Sequence, residues 1–171
     1  MRANLLLPLL VSLTWPATVF AEPVQASKPK VVAVALGKAG QTATLNKRTK
    51  YDRLDTISAR SDSSGLKYTV MLTDCVSGKN CISVRFSSPS IYGIPEERIP
   101  TLAALLNEWN RGHPLTNASI SFGSPSLEMI VKTGNAGISE ADFASQVSYW
   151  DKSLTEFIGK FDDKELKKSA L

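Results

Sequence analysis

The sequence has little of what most enzymes need. It contains one histidine, His113, and two cysteines among its 171 residues. A Ser-His-Asp hydrolase needs an imidazole base near a serine on a sharp turn, and the motif G-x-S-x-G is absent. The glycine-rich loops that cradle phosphates, G-x-x-x-x-G-K-[ST] and G-x-G-x-x-G, are absent too. We therefore expect no catalytic residues, no cofactor and no metal site, since structural zinc takes about four ligands at fixed spacing.

Long hydrophobic runs are also missing, apart from a short one at the N-terminus. Arg2 is followed by an apolar run over residues 5–11 and by Val19-Phe20-Ala21, which is the order of charge, apolar core and cleavage site in a secretory signal peptide. The run is too short for a membrane span, which needs about 20 apolar residues. The leader also lacks a cysteine for lipid attachment. We expect cleavage after Ala21 and a periplasmic protein of bacterial origin that is not inserted in the membrane.

Charge of one sign is nowhere concentrated over a long stretch. The leader holds one of the 20 basic residues, so the mature chain carries 19 basic against 16 acidic side chains, a formal charge of +3. A nucleic-acid-binding protein would show a larger one-signed patch, so we expect no nucleic-acid partner. The 150 residues after the leader suit one domain. We predict a flexible leash over 22–30, a single domain over 31–161 and a charged tail over 162–171; the short basic group Lys47-Arg48-Lys50 has no assigned role.

The two cysteines lie close together in the sequence. An even number of cysteines in an exported chain predicts a disulfide, here between Cys75 and Cys81. The residues between them include Ser77-Gly78-Lys79-Asn80, which favour a turn, so the bridge should close the tip of a β-hairpin. A redox pair is disfavoured, because the C-x-x-C spacing is absent.

Hydrophobic periodicity predicts an α+β fold. Apolar residues alternate with polar ones over 66–72 and 82–86, on either side of the cysteine turn, and again over 118–122 and 127–131, joined by Gly123-Ser124-Pro125-Ser126. Weaker strands are predicted at 42–45 and 54–59. One apolar face per strand indicates a sheet of about six antiparallel strands with helices packed on one face.

Two helices are well marked in the sequence, and a third element is ambiguous. Apolar residues at helical spacing run from Ile99 to Trp109, before Gly112 and Pro114 stop the helix. The last helix begins at the N-cap Ser139, and an apolar stripe continues from Phe143 to Phe161. Residues 31–37 are rich in valine, which favours a strand, although periodicity alone leaves a helix equally open.

The end of the middle helix reads Asn107-Glu108-Trp109-Asn110-Arg111. Asparagine is a poor helix former, so its presence twice indicates that Asn107 and Asn110, three residues apart on one face, form specific hydrogen bonds. Their partner is either another part of the chain or a bound molecule. Asn107, Trp109 and Asn110 are thus a candidate motif for structure or for recognition.

This segment resembles the Asn-x-Trp-Asn segment of the YbjN domain family, bacterial proteins labelled sensory transduction regulators. The cysteine hairpin before it, and the two strands and long helix after it, agree in order over residues 31–161. The resemblance implies a fold similar to type III secretion chaperones and a short first helix ending near Gly40. It also implies a bound partner chain or second subunit, and no catalytic residues.

These observations predict a non-enzymatic binding or chaperone-like regulatory module that recognises a protein partner in the periplasm. The alternative is a structural envelope protein that associates with a second copy of itself. An enzyme that uses scattered carboxylates or amides is the third possibility, and it would require a concave pocket that a sequence cannot reveal.

Overall fold

The described residues of the chain, which are 22–48, 54–88 and 95–161 of a computed structural model, contain three α-helices and six β-strands. The helices are α1 (Pro29–Lys38), α2 (Ile99–Gly112) and α3 (Glu140–Phe161). The strands are β1 (Gln41–Asn46), β2 (Thr56–Ser61), β3 (Lys67–Thr73), β4 (Ser83–Ser87), β5 (Thr116–Ser121) and β6 (Ser124–Lys132). The predicted leader over 1–21, the predicted tail over 162–171 and Lys50 lie outside the described residues.

All six strands form one antiparallel sheet with the order β1-β2-β3-β4-β6-β5. Ile57, Val70 and Phe86, which are paired across three strands, are fully buried. Ser58 and Thr69, which are paired on the opposite face, are exposed. Burial of one face only is the pattern of a sheet covered by helices on one side. The predicted α+β architecture is confirmed.

Helix α3 contributes more buried apolar residues to the layer over the sheet than either of the other helices. Its start is capped as predicted: the Ser139 Oγ accepts a hydrogen bond from the Asp142 backbone N–H at 3.0 Å and donates one to the Asp142 carboxylate at 2.7 Å. The predicted stripe is buried along its whole length and consists of Phe143, Val147, Trp150, Leu154, Phe157 and Phe161. The stripe is therefore part of the domain core.

The segment predicted to be a flexible leash, residues 22–30, is instead packed on the domain. Val24 and Ala26 are fully buried, and Val24 exchanges two backbone hydrogen bonds with Ile138, at 2.8 and 3.0 Å. Gly137 makes room for this strap, because a Cβ there would lie 2.9 Å from the Val24 carbonyl oxygen. The prediction failed because low local hydrophobicity was the only signal. Val24 and Ala26 are buried against residues that are far away in the sequence, such as Ile138.

Residues 31–37, for which periodicity left strand and helix open, are helical in α1, as the family resemblance implied. The helix begins at Pro29, a favourable first position because proline has no N–H to satisfy there. Val32, Ala35 and Leu36 are buried on one face. Packing at the spacing of three and four residues thus overrides the β propensity of valine.

The second hairpin turns earlier than predicted. The two residues Phe122 and Gly123, both with positive φ, form the turn, and β6 starts at Ser124. The predicted turn residue Pro125 lies within β6 opposite Ile120, two residues before Leu127, which accepts the last described hydrogen bond on the β4 side. Proline is tolerated there because no donor is needed on that side.

Candidate functional site

Trp109 joins the end of α2 to the start of β5. Its indole is 3% exposed, and its Nε1 donates a hydrogen bond to the Thr116 Oγ1 at 3.2 Å. The ring stacks on His113 with 3.7 Å between centroids and meets Phe157 edge-on at 5.2 Å. The single histidine of the chain is thereby held against the indole. Trp109 has the contacts of a core residue that sets the position of β5.

Asn110 holds the outer edge of β5. Its Nδ2 donates to the Ala118 carbonyl at 2.9 Å, and its Oδ1 accepts from the Ala118 N–H at 2.7 Å. A side-chain amide that makes both bonds replaces a neighbouring strand at that point. It satisfies a backbone donor and acceptor, and it blocks an edge that could pair with another chain.

Asn107 does not share this role. It lies on the exposed side of α2, and its side chain makes no hydrogen bond to any described residue. The prediction that the two asparagines act together is therefore corrected: the helix turns only Asn110 towards β5. Asn107 is the member of the segment that is accessible to another molecule.

Replacing Asn110 with alanine should lower the free energy of unfolding by about 1–3 kcal/mol, because a donor and an acceptor of Ala118 lose their partners. The Ala118 amide should also exchange its hydrogen faster. Chemical denaturation and hydrogen exchange measure the two effects. Asn107→Ala is the matched control and should stay within about 0.5 kcal/mol of the wild type, as exposed substitutions usually do; equal stability of both variants would contradict the clamp.

The cysteine pair closes the turn between β3 and β4. The sulfur atoms of Cys75 and Cys81 are 2.06 Å apart, so the predicted pair is positioned to form the disulfide. Cys81 is buried, whereas Val76 and Lys79, which pair through their backbones at the tip of the turn, are exposed. The disulfide thus fixes an exposed turn that carries a lysine.

A buried polar network, which the sequence did not reveal, connects the sheet with α3. Tyr68 donates from its hydroxyl to the Gln41 Oε1 at 2.8 Å, and the Gln41 Nε2 donates to the Asp151 carboxylate at 3.2 Å. The Ser61 hydroxyl donates to the same carboxylate oxygen at 2.7 Å. Burial, together with the nearby negative charges of Asp151 and Asp62, raises the pKa of Tyr68 far above its ordinary range. The phenol therefore stays protonated, and the network positions α3 against the sheet.

The hydrogen bonds of β6 show which of its residues face each neighbouring strand. The Ser88 N–H donates to the Leu127 carbonyl, and the Thr133 N–H donates to the Ile82 carbonyl, both at 2.9 Å. In an antiparallel ladder such bonded positions alternate with positions whose backbone groups point the other way. Odd-numbered residues of β6 therefore bond towards β4, and even-numbered ones point towards β5.

Strand β5 is shorter than β6 and leaves part of that side open. Its register ends where Thr116 pairs with Met129, so Leu115 lies opposite Ile130 and the backbone groups of Lys132 point past the end of β5. Lys132 has no register partner in β5. The side chains of Ile130 and Leu115 are 48% and 52% exposed beside this gap. We call Ile130 to Lys132, with Leu115, the open edge of β6; the sequence signal for it was an apolar Ile130 on the outward register between Met129 and Val131.

Two further properties of the described ranges bear on function. Within 22–48, 54–88 and 95–161, the side chains of His, Cys, Asp and Glu nowhere form a group of three that could bind a metal ion. No helix in these ranges combines the length and hydrophobicity of a membrane span.

Comparisons with known proteins agree with the resemblance seen in the sequence. The family model YbjN, described as "Putative bacterial sensory transduction regulator", matches residues 28–163. No curated protein matches the chain. Among solved structures, the chain is similar to "YbjN, a putative transcription regulator from E. coli", with 15% sequence identity and a TM-score of 0.59. The match covers 84% of this chain and 97% of that one, which shows a common fold.

Proposed function

The chain belongs to the YbjN family, and from this premise we propose that it is a non-enzymatic module of the bacterial periplasm that binds another envelope protein. The family description as a regulator is consistent with a protein that acts by binding. The order of residues in the leader and the cysteine pair support export, since disulfides persist in oxidising compartments.

The open edge of β6 is the observation that carries this proposal. Unpaired strand backbone is a template for an extended peptide, which gains main-chain hydrogen bonds from it. Lys132 offers such a backbone position, and the exposed Leu115 and Ile130 offer apolar contact for side chains of the incoming segment. The partner that fits is an extended segment of another protein with alternating apolar residues. Asn110 blocks the outer edge of β5 at Ala118, so an added segment would pair with β6 and not with β5 at that point.

Site-specific photo-cross-linking in living cells tests the proposal. The photoreactive amino acid is placed at Leu115, and at the exposed Val34 of α1 as a control. We expect one saturable protein adduct from position 115, none from position 34, and recovery of the adduct in the periplasmic fraction. An adduct in the cytoplasm, or equal adducts from both positions, would refute the proposal.

Lys132→Pro sharpens the test, because it removes an N–H that points away from β4 and past the end of β5, and so leaves the internal ladder intact. It should abolish the adduct. Ala43→Pro is the matched control, since the Asp62 N–H bonds to the Gly40 carbonyl and Ala43 therefore also points away from its neighbour β2. An adduct that persists in a folded Lys132→Pro variant would show that the partner binds elsewhere.

The free edge of β1 favours a second candidate function, association with another copy of the chain. The backbone groups of Gln41, Ala43 and Leu45 point outward along a six-residue edge strand, which could pair with its equivalent about a two-fold axis. Mass measurement by light scattering distinguishes the candidates. A dimer that Ala43→Pro converts to a monomer supports self-association, whereas a monomer for all variants supports the separate partner.

A further inference from the structure

A concave surface lies where the start of α1 meets the end of β1. Its residues are far in the sequence from the Asn-x-Trp-Asn segment and from the open edge of β6. It encloses about 510 Å³ and is lined by Lys28, Pro29, Lys30, Leu45, Lys47 and Arg48, with Asp55 at one side. This volume is within the range of small-ligand sites, which is about 300–1,000 Å³. We call it the basic cleft. Two of the three cations of the Lys47-Arg48-Lys50 group, for which the sequence predicted no role, line this cleft.

Cations dominate the basic cleft. Two come from the start of α1, Lys28 and Lys30, and two from the residues after β1, Lys47 and Arg48. Of these four cations, only Lys28 has an acidic partner among the described residues, Glu22 at 2.7 Å. The single carboxylate of the cleft, that of Asp55, accepts a hydrogen bond from the Arg48 backbone N–H at 2.9 Å. The charge left over is positive, so the cleft suits an anion.

The positive end of α1 adds to this charge. The helix has ten residues, its first turn contains no acidic side chain, and its N-terminus is at Pro29 in the wall of the cleft. The aligned peptide dipoles therefore favour an anion there, because no acidic side chain of the first turn neutralises the positive end of the helix.

The floor of the cleft is apolar. Pro29 and Leu45 are partly buried in it. A second depression, of about 340 Å³, shares Pro29, Arg48 and Asp55 with the cleft and continues past Leu54 and Leu72 to Lys79 in the disulfide-closed turn. The lining of this second depression mixes polar and apolar groups. The apolar floor at Pro29 and Leu45 thus lies beside the group of cations, which is the arrangement that an amphiphilic anion matches.

We propose that the basic cleft binds a phosphate group that bears a short apolar chain, as in a lipid phosphate. The phosphate is placed among Lys30, Lys47 and Arg48, where an arginine can form paired hydrogen bonds to two of its oxygens. The apolar chain lies along Leu45 towards Leu54. Such a site is separate from the open edge of β6, so the protein would bind its partner and this ligand at two places.

Titration calorimetry with the purified, natively processed protein tests the proposal. The probes are dihexanoyl phosphatidic acid, the neutral dihexanoyl phosphatidylcholine and inorganic phosphate. We expect saturable binding of the first with a stoichiometry of one, no binding of the second and weaker binding of the third, because phosphate alone lacks the apolar contact. Equal affinity for phosphatidic acid and inorganic phosphate, or no saturable binding, would overturn it.

Charge reversal locates the site. Lys30→Glu with Lys47→Glu should weaken binding of phosphatidic acid about tenfold or more, because two charge-assisted contacts are lost. The control is Arg60→Glu with Lys67→Glu, which makes the same change of charge in a depression of similar volume, about 510 Å³, on the helix-free face of the sheet. Equal weakening by both pairs would mean unspecific attraction and would refute the site. Both exchanges are at exposed positions, so the fold should persist.

Two further arms identify the source of the phosphate and exclude a peptide. Vesicles of phosphatidylglycerol are compared with vesicles of phosphatidylcholine in a flotation assay. If the wild type binds the anionic vesicles and the variant with Lys30→Glu and Lys47→Glu does not, the ligand lies in a membrane surface. If only the short-chain lipid binds, the ligand is soluble. Either result supports the proposal. Displacement of phosphatidic acid by poly-glutamate at equal charge concentration would instead indicate an acidic peptide site and overturn it.

Discussion

Trp109→Ala should lower the free energy of unfolding by about 3–5 kcal/mol, the usual cost of truncating a large buried aromatic residue. The indole is almost completely buried and contacts Thr116 at the start of β5, His113 just after α2 and Phe157 in α3. Its loss removes apolar contact on three sides and leaves the Thr116 hydroxyl without its donor. Urea denaturation of the wild type and the variant measures the difference.

Trp109→Phe separates packing from hydrogen bonding in the same site. The smaller ring keeps part of the contact with Phe157 but has no N–H for Thr116, so its cost should be about 1–2 kcal/mol, in the range of a lost buried hydrogen bond. A Trp109→Ala protein that unfolds like the wild type but no longer captures its partner would contradict the structural role and make the indole a recognition group.

The contacts of Trp109 and Asn110 together connect the Asn-x-Trp-Asn segment to the proposed binding edge. Trp109 holds Thr116, the first residue of β5, and Asn110 holds Ala118 two residues later. The position at which β5 begins determines how much of β6 stays unpaired, because the register of the two strands ends at Thr116 and Met129. A segment with structural contacts therefore also defines the length of the open edge.

Sequence reasoning predicted the parts of this fold that depend on local periodicity. Alternation around the cysteine turn and the capping of α3 at Ser139 are signals carried by neighbouring residues, and both are present in the structure. The turn predicted over residues 123–126 lies up to three residues after the observed turn at Phe122 and Gly123, because proline and glycine are both common in turns.

The parts that were missed depend on residues far apart in the chain. The strap at Val24 is held by Ile138, and the network at Gln41 is completed by Asp151, 110 positions away. No local pattern marks such pairs, since neither a small apolar residue nor a lone amide indicates its partner. The candidate motif was recognisable for the opposite reason: two asparagines and a tryptophan at the end of a helix are locally unusual, and the structure supplies partners for Trp109 and Asn110.

The Tyr68 network gives a pH dependence that distinguishes it from ordinary packing. Burial, and then the charges of Asp151 and Asp62, hold the pKa of the Tyr68 phenol far above the value of about 10 that it has in an unfolded chain. Above about pH 10 the unfolded chain therefore releases a proton that the folded protein keeps, and the contribution of this group to stability is lost as the pH rises, by about 1.4 kcal/mol per pH unit.

Tyr68→Phe should remove this dependence. At pH 8 the variant is expected to be less stable by about 1–3 kcal/mol, because the Gln41 Oε1 loses its buried donor. Above about pH 10 the difference should shrink by about 1.4 kcal/mol per pH unit, since only the wild type has the phenol to deprotonate on unfolding. Urea denaturation between pH 8 and 11.5 measures both proteins, with Tyr149→Phe, at a partly buried position of α3, as the control. If the difference between the wild type and Tyr68→Phe is constant over this range, the phenol ionises in the folded state and the network does not exclude its charge.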